Sequence, residues 1–100
     1  MNNNLHFLED LFNTIEKKSK SKDPNSYTKK LLRQGKNKIA QKVGEESSEL
    51  IIDYLAGSKK RTIEECADLI YHVFVLLYSK KITLTDIKKE LIKRKNVRPK

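Results

Sequence analysis

The sequence predicts an all-α fold. Apolar residues recur at helical spacing in several separate stretches, each bounded by capping or helix-breaking residues. There is no Asn-Gly or Asp-Gly hairpin signal and no convincing apolar–polar alternation, so nothing argues for a sheet. One hundred residues make a single domain, taken as residues 1–100. Leu, Ile, Val and Phe number 28, enough to fold, since chains below roughly 20% stay disordered. The core is nevertheless expected to be thin, because a chain this short buries only about 60–65% of its unfolded surface. The expected architecture is therefore a helical bundle completed by homodimerisation.

The first helix is expected over Leu5 to Lys18, where Leu5, Leu8, Leu11, Phe12 and Ile15 share one side. Ser19 to Asn25, with Pro24, is a loop. Ser26 can cap a short helix through Leu32 that stops near Gly35. Asn37 can cap a long helix to Ala56, with Gly57 at its C-terminal end. Thr62 and Glu65 match a T-x-x-E capping box for the next helix. That helix contains Leu69 to Tyr78, apolar nearly all round and so expected to be buried within this subunit or between two. Thr83 or Thr85 opens a last helix to about Lys95, and a basic tail begins near Lys93.

No stretch approaches the roughly 18 apolar residues that a membrane span needs, so no membrane partner is expected. Met1 to Asn4 lacks the charged start and apolar run of a signal peptide. The lone Cys66 excludes an internal disulfide framework and fits a reducing, cytoplasmic setting. With no CxxC pair or HExxH, a structural zinc site lacks ligands. The net charge of +9 calls for a polyanionic partner: nucleic acid, an anionic membrane or a phosphorylated metabolite. Residues 45–68 run against that trend, with a local net of −4 while the rest carries +13. A nucleic-acid binder has no evident need to gather its acids in this way. A protein holding both a cation and a phosphate chain does.

At 100° per residue, Lys38, Lys42, Glu45, Glu46, Glu49 and Asp53 share a helix face about 100° wide. Glu45/Glu49 and Glu49/Asp53 are i,i+4 like-charge pairs, and Glu46/Glu49 is an i,i+3 pair, each costing a few tenths of a kcal/mol in an isolated helix. A solvated polar stripe would not need such pairs in a chain with 22 Lys and Arg. On the next helix Glu65, Asp68 and His72 lie within about 60° of one another. The capping box alone accounts for Glu65. Asp68 sits one turn further in, beside the apolar run, where burial demands a cation or hydrogen-bond partner. Two antiparallel helices would bring these faces together. Converging carboxylates without zinc-type ligands suit a hard divalent ion, Mg²⁺ or Mn²⁺. Lys38 and Lys42, one and two turns before Glu45-Glu46, can meet phosphates as point charges, with Arg33 and Lys36 as further candidates. Gly44, mid-helix at about 1 kcal/mol relative to Ala, suggests close approach of a helix or ligand.

Glu45-Glu46-x-x-Glu49 followed at a distance by Glu65-x-x-Asp68 resembles the signature of the MazG-like all-α nucleotide pyrophosphatases. Ser26-Tyr27-Thr28, Leu31-Leu32, Gly35, Lys42-Val43-Gly44 and Ala67-Asp68-Leu69-Ile70-Tyr71-His72 are further similar to the phosphoribosyl-ATP pyrophosphatases of histidine biosynthesis. The likeness covers about residues 5–95. It implies hydrolysis of phosphoribosyl-ATP to phosphoribosyl-AMP and pyrophosphate, with Mg²⁺, by a homodimer or higher assembly. It carries Glu45, Glu46, Glu49, Glu65 and Asp68 over as metal-binding and catalytic candidates, and Ser26, Tyr27 and Thr28 as substrate contacts. His72 is first a core histidine and second a substrate contact. Asp53 lies outside the motif. Met1 directly before the first helix suggests a stand-alone form rather than a fusion behind the enzyme of the next step.

Two other readings compete. One is a pyrophosphohydrolase of ordinary or damaged nucleoside triphosphates. The other is a basic helical dimer that binds nucleic acid, which leaves the clustered acids without a purpose.

Overall fold

The computed structural model describes residues 5–96. The expectations for Met1 to Asn4 and for the end of the basic tail, residues 97–100, lie outside them. Five helices run in order: α1 (His6–Ser19), α2 (Tyr27–Gln34), α3 (Lys36–Ala56), α4 (Lys59–Ser79) and α5 (Leu84–Asn96). Among the described residues there is no strand, as the periodicity predicts.

Ser26 caps α2, its Oγ accepting the Lys29 N–H at 3.2 Å. Gly35 then does two jobs. Its φ of 96° is open to glycine, and it ends α2 while standing as the cap of α3, which starts at Lys36 rather than after Asn37. The α3–α4 hairpin turns on Gly57 and Ser58 alone. A Cβ on Gly57 would lie 2.6 Å from Asp53 Oδ1 and 3.0 Å from the Asp53 carbonyl oxygen, so a side chain there would have to push Asp53 aside. Ser58 caps α4 by accepting the Arg61 N–H at 3.0 Å. Helix α4 therefore starts at Lys59, one turn before the expected Thr62 box. Thr62 instead donates its hydroxyl to the carbonyls of Asp53 and Ser58. At α5 the reciprocal box is real: the Thr83 N–H donates to Asp86 Oδ2 and the Asp86 N–H to Thr83 Oγ1. Lys93, Arg94 and Lys95 form its last turn, favourable against the helix dipole.

Helices α3 and α4, each 21 residues, form the main packed pair. Helices α1 and α2 cover one end of it. There Ile15, Leu31, Ile39, Phe74 and Val75 make the buried core, joined by Phe12 against Phe74 at 5.5 Å between ring centres. The hairpin end is bare. Ile51, Ile52, Tyr54 and Leu55 of α3 and Ile63 of α4 are exposed, Tyr54 and Leu55 by about three-quarters (75% and 74%). The run from Leu69 to Tyr78 buries Phe74 and Val75, while Ile70 at its N-terminal end is on the surface of the subunit. Gly44 has open space around it: nothing lies within 4 Å of a Cβ built there, so no other helix of this chain makes the expected close approach.

Candidate functional site

The antiparallel hairpin brings the acidic faces of α3 and α4 together between its packed and bare ends. Glu46 and Glu49 from α3 and Glu65 from α4 each offer a carboxylate oxygen, and the three lie within 4.8 Å of one another. Glu46 and Glu65 are buried, while Glu49 is open to solvent. Glu65 is a mid-helix group rather than part of a cap, because α4 begins six residues before it. Burial pushes its carboxyl above the usual range. The adjacent Glu49 carboxylate pushes the same way, Arg61 opposes, and Asp68 adds to the rise. Glu65 Oε1 is buried with no hydrogen-bond partner. An acceptor-only oxygen orphaned beside two other carboxylates is costly without a cation. The donor set is all oxygen, which suits a hard divalent ion of the Mg²⁺ type.

The other two motif carboxylates stand apart from this group of three. Glu45 is exposed; its Oε2 accepts from Gln41 Nε2 at 2.8 Å, and Lys42 Nζ is 3.4 Å from its Oε1. The Gln41 bond, then Lys42, hold its carboxyl below the ordinary value. Asp68 is also exposed, which corrects the expectation of a buried acid in need of a partner. Its position on the solvent side of α4 removes the desolvation cost from which that expectation came.

Lys42 bridges the motif from the basic side, 3.8 Å from Glu46 Oε2 as well as 3.4 Å from Glu45. Burial works to lower its pKa, but the Glu45 hydrogen bond and the nearby charges outweigh it, so the ammonium is held more firmly than usual. Lys38 lies one turn earlier, half-buried.

Helix α2 delivers a second polar group next to α4. Tyr27 Oη meets His72 Nε2 at 3.0 Å, and Thr28 Oγ1 bonds to Tyr71 Oη. His72 Nδ1 lies 2.8 Å from the Asp68 carbonyl. A carbonyl can only accept, so Nδ1 carries the proton, and a neutral ring then accepts from Tyr27 at Nε2. His72, Thr28 and Ser26 are buried, and Tyr27 is about half exposed. The histidine is thus a satisfied core group that ties the start of α2 to the turn of α4 carrying Asp68.

Arg61 was not among the sequence candidates. Its guanidinium reaches Glu65 Oε2 at 3.0 Å, Glu64 Oε1 at 2.7 Å and Asp53 Oδ2 at 3.8 Å. The signal was an early start to α4 at Ser58, which places Arg61 one turn before Glu65.

Fold and cluster together define a class: an all-helical protein with a carboxylate cluster, on a helix pair, of the composition that takes a hard cation. Comparison with known proteins makes this specific. Residues 8–95 match the family model described as phosphoribosyl-ATP pyrophosphohydrolase, and the chain belongs to that family. It is 44% identical, over 87% of its length and 92% of the relative's, to the phosphoribosyl-ATP pyrophosphatase of Sulfolobus acidocaldarius. It is 45% identical to that of Clostridium botulinum, over 95% of this chain and 86% of the other. A histidine biosynthesis bifunctional protein of Bacteroides thetaiotaomicron is 47% identical over 88% of this chain, which spans only 43% of that larger protein. Among the described residues no helix is long and apolar enough to cross a membrane.

Proposed function

We propose that the chain, as one domain over residues 1–100, hydrolyses phosphoribosyl-ATP to phosphoribosyl-AMP and pyrophosphate, the second step of histidine biosynthesis. One observation carries the reading: three glutamate oxygens within 4.8 Å, in a chain whose residues 8–95 match a pyrophosphohydrolase family. Glu46, Glu49 and Glu65 would hold a divalent cation, Mg²⁺ or Mn²⁺. When bound, it supplies charge neutralisation on the phosphate oxygens and a more acidic water.

The remaining residues act around that cluster. Lys42, and Lys38 one turn away, meet the phosphates as point charges. Glu45 is weakened as a base by Gln41 and Lys42, which leaves Asp68 to take the proton of the attacking water. Ser26, Tyr27, Thr28 and His72 shape the wall beside Asp68. Their polar groups are engaged within the protein, and the half-exposed Tyr27 ring is the part that faces the substrate.

A homodimer goes with this reading. The bare face of Ile51, Ile52, Tyr54, Leu55 and Ile63 is what a second copy would cover. A cytoplasmic location also goes with it, given a single free cysteine.

The test is pyrophosphate release from phosphoribosyl-ATP, ATP and dUTP, with and without Mg²⁺. The account expects Mg²⁺-dependent turnover with phosphoribosyl-ATP strongly preferred. Equal or faster cleavage of ATP or dUTP would instead assign a general nucleotide pyrophosphohydrolase. Salt-sensitive nucleic-acid binding with no hydrolysis would contradict both.

A further inference from the structure

No step above uses Arg61, yet it touches more carboxylates than any lysine of the site. Asp53 belongs to α3, while Arg61, Glu64 and Glu65 belong to α4, so its guanidinium spans the helix pair. The two oxygens of Glu65 meet different fates. Arg61 Nη2 holds Oε2 at 3.0 Å, and Oε1 is buried with no partner. The last torsion of a glutamate is broad and two-fold, so a bond to one oxygen sets the direction of the other. The Glu65 side chain is 5% exposed and that of Arg61 is 52% exposed. The anchor therefore reaches water while the group it holds sits in the cluster.

We infer that Arg61 is a positioning residue. It grips Glu65 by Oε2 and thereby presents Oε1 to the divalent cation shared with Glu46 and Glu49, while Asp53 steadies the guanidinium from the opposite helix. This inference rests on the cation-site reading proposed above.

A cation beside a cation site also repels. Here the repulsion is screened, because the guanidinium is half in water. Orientation acts on a buried carboxylate, where an ill-placed oxygen is most costly, so positioning prevails. A lysine cannot substitute, since its shorter, point-like ammonium does not reproduce the guanidinium Nη2 that meets Glu65 and Asp53 together.

The experiment is Mn²⁺ titration of the full chain without substrate, following free Mn²⁺ by electron paramagnetic resonance, with thermal melts to report the fold. Arg61→Gln should weaken binding about 10- to 100-fold, as losing the partner of a metal ligand does. Arg61→Lys should not restore it. Asp53→Asn should weaken it less and in the same direction, and Glu64→Gln, on a pair exposed at both ends, should leave it unchanged. If Arg61→Gln does not fold, Arg61→Lys carries the same expectation. A folded Arg61 variant that binds Mn²⁺ as tightly as the wild type, or more tightly, overturns the inference. So does an equal loss in Glu64→Gln, which would make the effect one of general charge. A wild-type protein that fails to bind Mn²⁺ overturns the cation site itself, and the inference with it.

Discussion

Two polar clusters sit side by side on α4, and they are built on opposite terms. In the first, around Tyr27, Thr28, Tyr71 and His72, each hydroxyl or ring nitrogen meets another protein group. Nothing external is needed, and the cluster pins α2 to α4. In the second, around Glu46, Glu49 and Glu65, acceptors face acceptors and one buried oxygen has no partner. A fold that satisfies hydrogen bonds so fully a turn away does not leave such a gap through poor packing. The contrast separates scaffold from candidate site: the completed cluster holds α2 to α4, and the incomplete one is the group proposed to take a cation.

The sharpest way to break this contrast is to neutralise one acid of the second cluster. Glu46→Gln or Glu65→Gln should lower kcat/KM by more than ~100-fold, beyond the usual cost of losing an outer partner. Melting of the metal-free protein should show no loss of stability, because like charges are relieved. Steady-state kinetics and calorimetry check the pair of outcomes.

Damage to the first cluster should read the other way. Tyr27→Phe leaves His72 Nε2 without its donor and Thr28→Val breaks the bond to Tyr71, each costing about 1–3 kcal/mol of stability. Denaturant melts measure this, and Mn²⁺ affinity should stay within error of the wild type.

The pH dependence of the metal-free protein sharpens the same point. Burial, then Glu49, raise the Glu65 carboxyl in the folded state. Between its ordinary unfolded value and that raised value the folded chain holds the extra proton. Stability therefore falls as pH rises through this interval, and is greatest below it. Glu65→Gln should remove that fall, seen as the difference between the two proteins' melting curves across pH. Smallest of all should be Glu45→Gln. This carboxylate is exposed and lies outside the group of three, so Mn²⁺ affinity should change by less than about threefold if only screened charge is lost.

The all-helical class and the pairing of the two acidic faces were readable in the sequence, because apolar spacing and the two acid motifs both follow the helix period. The boundaries were less so. A T-x-x-E pattern at Thr62 looks like a box, while Ser58 has no acid three residues on. Only the two-residue turn at Gly57, tight against Asp53, decides for Ser58. That one-turn difference hid Arg61, whose role depends on facing Asp53 across the turn. The exposure of Asp68 was hidden too, since periodicity gives angles around one helix and not what packs against them. The bare end of α3 at Tyr54 and Leu55 was hidden as well, since it depends on how far α1 and α2 reach.

The central claim is that Glu46, Glu49 and Glu65 are unfinished without a divalent cation. Thermal unfolding of the purified chain in rising Mg²⁺, with no substrate present, tests it most directly. The wild type should gain about 2.7 kcal/mol at a hundred times the dissociation constant. Glu65→Gln should gain little. A wild-type melting curve indifferent to Mg²⁺ and Mn²⁺, or an equal gain in Glu65→Gln, would contradict the account.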